Sequence, residues 1–172
     1  AALSAGHACR RVVGVARRHS TLESARLMRF IDAGVEDLAE GVHEADMVIL
    51  CTPVRDILDK IAEIGPLLKP GCVLMDIGST KVEICRAMEQ MPGHVQPIGA
   101  HPMCGKESSG LTMAEPDLYR DKVFVLAPLA RTSESALRLA HALVAAVGAR
   151  ALVLEPERHD QMVAAISHLP YM

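Results

Sequence analysis

A histidine and a glutamate stand six residues apart in a stretch that also holds three glycines and a proline: Gly99-Ala-His-Pro-Met-Cys-Gly-Lys-Glu-Ser-Ser-Gly110. An imidazole has an ordinary pKa of about 6.5, so near neutral pH His101 can take up a proton. Pro102 restricts His101 to extended backbone. Glycines let main chain come close to a ligand. The apolar run Val95 to Ile98 enters this stretch. It suits a strand that stops at Gly99 and presents one ring at a sheet edge. The other reading of this stretch alone is a surface turn with a chance histidine. Two more polar sites occupy comparable places: Thr52-Pro53 follows the apolar run Asp46 to Cys51, and Ser79 follows Val73 to Asp76 across Ile77-Gly78.

The surrounding pattern predicts the elements that hold these residues. Arg11 to Ala16 and Val73 to Asp76 read as buried strands, and Asp46 to Cys51, Val95 to Ile98, Lys122 to Leu126 and Ala151 to Leu154 as further strands. Helices are expected over Thr21 to Ile31, capped by Ser20 or Thr21 and ended by Gly34, and after Pro53, where Val54, Ile57, Leu58 and Ile61 recur at helical spacing. Further helices are expected over Lys81 to Gln90, Ser133 to Val147 and Pro156 to Leu169. Strands alternating with helices imply parallel pairing through right-handed crossovers. Unbroken apolar strands imply a sheet covered on both faces. The expected fold is therefore α/β, with a doubly wound, mostly parallel sheet. In such a sheet ligands lie beyond the carboxyl ends of the strands, so Thr52, Ser79 and His101 should converge on one edge.

Composition narrows the partners. The chain has 172 residues, half of them hydrophobic and 2% aromatic, so a core of small aliphatic residues is affordable for one domain. A net charge of −3 gives no electrostatic case for nucleic acid or an anionic membrane surface. Five cysteines without a C-x-x-C pair or zinc spacing fit a reduced, cytoplasmic setting, most of them acting as small hydrophobes, and no metal site is expected. No run is apolar enough to span a membrane, and the start lacks the pattern of a signal peptide. The opening residues read as the tail of a helix ending at Gly6. The pattern suggests a piece of a longer protein.

Three segments, in order, carry a resemblance. Asp76-Ile-Gly-Ser-Thr-Lys81, the Gly99–Gly110 stretch and His159-Asp-x6-Ser-His-Leu-Pro170 resemble signatures of the prephenate/arogenate dehydrogenase family. The resemblance implies a Rossmann-like NAD(P)-binding domain over residues 1–154, without its first strand and Gly-rich loop, and the start of an all-helical dimerisation and substrate domain over 155–172. It implies oxidative decarboxylation of prephenate to 4-hydroxyphenylpyruvate, or of arogenate to tyrosine, in tyrosine biosynthesis. The full-length protein is expected to be a homodimer acting on a small-molecule substrate. The chain by itself is expected to be inactive.

By the same resemblance, His101 draws the proton from the substrate hydroxyl as hydride leaves the carbinol carbon. Ser79 hydrogen-bonds near the histidine and the hydroxyl, though a plain helix N-cap before Lys81 is an alternative. Glu107 helps gate or orient substrate, or is a solvated loop charge. Thr52 and Pro53 border the nicotinamide, or form an ordinary strand-to-helix turn. His168, in Ser-His-Leu-Pro, is expected nearer the site, and His159 is given a structural role. Tyr171 stands where many family members carry a second, substrate-binding histidine. Asp76 reads as a strand-end acid, and His7, His19, His43, His94 and His141 as surface residues.

The cofactor signal lies in Ala16-Arg17-Arg18-His19-Ser20. An acid at the end of that strand suits the ribose hydroxyls of NAD, whereas arginine suits the 2′-phosphate of NADP. Arg17, Arg18 and Ser20 therefore favour NADP over NAD, the alternative being a solvated basic turn in an NAD enzyme. Two other functions stay open: a dehydrogenase of the same architecture acting on another hydroxy acid, and a non-catalytic NADP-binding regulatory module.

Overall fold

The aliphatic runs become strands, and the helically spaced segments between them pack on both faces of the sheet they form. The structure, a computed structural model, describes residues 1–5, 9–105 and 110–168. The chain opens with α1 (Ala2–Ala5), β1 (Val13–Val15), α2 (His19–Leu27), β2 (Ala33–Val35) and α3 (Leu38–Val42). It continues with β3 (Met47–Leu50), α4 (Val54–Ile64), β4 (Val73–Asp76), α5 (Val82–Glu89) and β5 (Gln96–Pro102). It closes with β6 (Val123–Pro128), α6 (Glu134–Ala146), β7 (Arg150–Val153) and α7 (Pro156–His168). A parallel two-stranded sheet pairs β1 with β2, and a five-stranded sheet runs β3-β4-β5-β6-β7.

Within the larger sheet successive side chains alternate between two cores, as the period of two requires. Leu74 faces Ile57, Ile61 and Ile64 of α4 and Ile84 and Met88 of α5. Its neighbours Val73 and Met75 face the other way, with Ile98, Phe124 and Leu126, against Ala136, Ala140 and Val144 of α6. Both faces of β4, β5 and β6 are therefore dry, as unbroken apolar strands predict, whereas the edge strand β7 is exposed along its length and β1, expected to be buried, is only partly so.

Helix ends follow local chemistry where a cap is present. The Ser133 hydroxyl accepts from Ala136 N at the start of α6, and Gly148, at φ 74°, ends its last turn. Pro53 precedes α4, as expected. Other boundaries depart from the sequence reading. Helix α2 begins at His19, with Arg18 as its N-cap and no side-chain cap, rather than at Ser20 or Thr21. Gly34 does not end that helix; it sits in β2, where a Cβ would meet Leu22 Cβ at 2.8 Å. Its glycine therefore serves a close approach of α2 to the sheet. Of the cysteines, Cys72 and Cys85 are buried, whereas Cys9 and Cys51 are exposed and Cys104 lies between. Among the described residues no helix is long and apolar enough to cross a membrane.

One pairing breaks the parallel pattern. β5 and β6 are antiparallel, with His101 opposite Val125 and Pro102 opposite Phe124. Among the described residues only a short 3-10 turn, Leu111–Met113, lies between them, and antiparallel pairing means that the chain re-enters the sheet at the end where it left, without a crossover. Cys104, Gly105, Gly110, Met113 and Tyr119 therefore bring their side of a cavity to the rim where β5 ends.

Candidate active site

Strand register brings the polar residues to one rim. Leu50 pairs with Asp76, and Met75 pairs with Ile98. Cys51, Ile77 and the last residues of β5 thus emerge together. A cavity of about 510 Å³ opens here, lined by Cys51, Ile77, His101, Cys104, Tyr119 and neighbours from the β5–β6 connection. Thr52, Pro53 and Ser79 lie exposed just beyond the same strand ends. They share the rim with His101 but not the cavity wall, and no side-chain hydrogen bond joins Ser79 to His101 among the described residues.

Below the rim is a fully buried ion pair. Asp76 and Lys81 both have no side-chain exposure, and the Lys81 ammonium donates to Asp76 Oδ2. Gly78 N donates to Oδ2 at 2.7 Å and Ala100 N to Oδ1 at 3.1 Å. Burial pushes the Asp76 carboxyl above its usual range, against the pull of Lys81 and of those two N–H groups. The pair ties the end of β4 to β5 one residue before His101. Gly99 makes room for it: a Cβ there would lie 2.7 Å from Cys85 Sγ and 3.2 Å from Lys81 Cδ. Asp76 is thus a structural node rather than a plain strand-end acid.

From the helix side, α7 supplies two consecutive residues. His159 is 1% exposed. Its Nε2 lies 2.9 Å from Nδ1 of the half-buried His101 and its Nδ1 lies 2.7 Å from Asp160 Oδ1. The two rings meet edge to face, with centroids 5.1 Å apart. Asp160 also accepts from Lys81 N at 2.7 Å and from Val82 N at 3.0 Å. It therefore caps α5 from another helix, satisfying N–H groups that have no partner within their own. Ser79 is not that cap, which corrects the alternative reading of it. Burial opposes the Asp160 charge, but the Val82 N–H, the His159 ring and the Lys81 N–H outweigh it and hold the carboxyl below its usual range. Burial, reinforced by His159 and Lys81, lowers the His101 pKa from 6.5 to about 4. At neutral pH the His101 ring is consequently neutral and able to accept a proton.

A second groove, of about 530 Å³, runs along the end of β1 and the start of α2. Arg17, Arg18, Ser20 and Thr21 line it, and Gly110 borders both it and the first cavity. Arg17 and Arg18 are exposed. Their guanidinium groups beside two hydroxyls suit an anionic ligand.

The nucleotide-binding domain model of prephenate dehydrogenase matches residues 1–153. The chain belongs to the prephenate dehydrogenase family. It is 31% identical, over 87% of its length, to the cyclohexadienyl dehydrogenase of Zymomonas mobilis, and covers 51% of that protein. The crystal structure of Synechocystis arogenate dehydrogenase superposes with a TM-score of 0.86 at 32% identity, over 92% of this chain and 56% of that one. Prephenate dehydrogenase from Aquifex aeolicus, solved with hydroxyphenyl propionate and NAD+, gives 0.89 at 25% identity, over 98% and 59%. The chain thus spans about half the length of the curated relatives it matches.

Against this family background, the residues singled out in the sequence fall into three groups. His101 stands in the cavity wall, and Arg17, Arg18 and Ser20 share one groove. Thr52, Pro53 and Ser79 lie exposed at the strand ends, with no hydrogen bond to the His101 ring among the described residues. Glu107 and Tyr171 lie outside the described residues, as does the side chain of His168. His159, expected to have a structural role, reaches the site and contacts His101. His19, His43, His94 and His141 are exposed, as expected, and His7 lies outside the described residues. Sequence reasoning missed Lys81 and Asp160. Their signals were present as a lysine five residues beyond a strand-end acid and an acid directly after His159.

Proposed function

We propose that the full-length protein carries out NAD(P)-dependent oxidative decarboxylation of prephenate or arogenate. The single observation behind this is His101: a neutral ring in a cavity wall at the strand ends, with one nitrogen tied to His159 and the other left for substrate. When bound, the nicotinamide supplies the hydride acceptor. His101 takes the substrate's hydroxyl proton at Nε2. Removing that proton favours hydride loss from the carbinol carbon, and loss of carbon dioxide leaves an aromatic ring.

The remaining assignments belong to the same proposal and draw support from the motif resemblance. Thr52, Pro53 and Ser79 border the nicotinamide and the substrate hydroxyl. Glu107, His168 and Tyr171 contact the substrate. NADP is the preferred cofactor, because Arg17 and Arg18 line the second groove with Ser20 and carry no ion pair among the described residues. Residues after 154 begin a helical domain through which the cytoplasmic protein dimerises. The test is an assay of the full-length protein with prephenate and with arogenate, each with NADP and NAD. Reduction of cofactor with either substrate supports the reading. Binding of NADP without turnover of either would leave a regulatory module instead.

A further inference from the structure

Five atoms in a row run from the Asp160 carboxylate through His159 to the far nitrogen of His101. A carboxylate only accepts, so Asp160 Oδ1, 2.7 Å from His159 Nδ1, holds the proton of that ring on Nδ1. In a neutral His159 the other nitrogen, Nε2, then carries a lone pair. It lies 2.9 Å from His101 Nδ1. A hydrogen bond between two nitrogens needs one proton, so His101 must donate from Nδ1, which leaves its own Nε2 unprotonated. We infer that His159 and Asp160 act as a positioning pair that fixes His101 in its Nδ1–H tautomer and so makes His101 Nε2 the proton acceptor.

Three features make this a built arrangement. His159 is buried, so water does not compete for its ring nitrogens. Asp160 is itself fixed by the N–H groups of Lys81 and Val82. The buried Lys81 ammonium stays on Asp76, leaving Asp160 to the histidine. The same row also serves the protonated state. Once His101 has taken a proton at Nε2, the positive ring still donates from Nδ1, and the Asp160 carboxylate stabilises that charge through His159. Lys81 opposes this charge, and its pairing with Asp76 limits the opposition. The role rests on the proposed reaction only for its use in turnover; the tautomer is a property of the protein without substrate.

Selective 15N-histidine labelling of the full-length protein reads the tautomer directly, with His101→Asn used to assign the signal. The expected spectrum shows His101 neutral at pH 7, protonated on Nδ1 and bare on Nε2. A His101 protonated on Nε2, or a doubly protonated His159, would overturn the inference whether or not the enzyme turns over. The expected tautomer in a protein that oxidises neither prephenate nor arogenate would instead sink the functional reading alone. Two variants add a kinetic readout. His159→Leu, which offers no acceptor, should lower kcat about 10–100-fold with little change in KM for the cofactor. His159→Gln, whose carboxamide oxygen can accept from His101, should recover most of that loss. Equal losses in both, with the tautomer unchanged in both, would reduce His159 to packing.

Discussion

The His101 rim and the Arg17–Arg18 groove lie at ends of parallel strands, yet they are built in opposite ways. Around His101 the buried polar groups hold one another: Asp76 is held by Lys81, Gly78 and Ala100, and His101 by His159, which Asp160 holds in turn. In the groove the two guanidinium groups are exposed, and no described side chain holds them. A group that must accept a proton at one atom gains from a fixed ring and a fixed tautomer. A group that must recognise a phosphate can stay solvated until the ligand arrives, because arginine is charged under all relevant conditions. In the proposed reaction, proton transfer calls for burial, and anion recognition does not.

The contrast can be broken at its strongest point first. His101→Asn in the full-length protein should lower kcat about 10²–10⁴-fold, as for a lost general base, while leaving NADP affinity nearly intact. A near-normal rate would remove His101 from its role. Next in size is Lys81→Met, which strands a buried carboxylate and should cost about 3–5 kcal/mol in denaturant unfolding. Under 1 kcal/mol would mean that the Asp76 carboxyl simply takes up a proton. Gly99→Ala should cost about 1–3 kcal/mol by pressing on Cys85 and the Lys81 stem.

On the groove side the balance reverses. Arg17→Ala with Arg18→Ala should change unfolding free energy by no more than about 0.5 kcal/mol per site, as for other exposed substitutions. The same pair should weaken NADP about tenfold or more and NAD far less, as isothermal titration would read it. Equal weakening of both cofactors would leave the basic turn without a phosphate to recognise. The mildest effect is on pH dependence. His101 takes its proton near pH 6.5 when unfolded and near pH 4 when folded. Between those values the unfolded chain holds more protons, so stability should fall as pH drops from about 6.5 through about 4 and be unaffected by this group above that window. In His101→Asn that part of the decline should vanish from a series of melts. A group in the exposed groove should show no counterpart.

Much of this organisation was legible in the chain. The strands β3, β4 and β5 are announced by unbroken apolar runs, and the polar residues after them mark the working edge. Pro53, Ser133 and Gly148 mark helix ends through fixed backbone preferences. Less legible were the short elements. β2 and α3 hold three and five residues, too few for periodicity to register, and Gly34 looked like a helix stop because its reason, contact with Leu22, is tertiary.

β5 runs on past Gly99 to Pro102 and takes His101 into its ladder opposite Val125, where the sequence reading stopped the strand at Gly99. What the sequence determined by itself is the alternation of elements, the two-sided burial of the central strands and the nearness of His101 to a strand end. These follow from hydrophobic period and from proline and glycine geometry, which act over a few neighbouring residues. Only the tertiary structure decided which groups hold that imidazole. Lys81 reaches Asp76 because β4 turns directly into α5, and His159 reaches His101 from 58 residues away because α7 packs against α5. Such pairings depend on where separate elements come to rest, and no local preference encodes that.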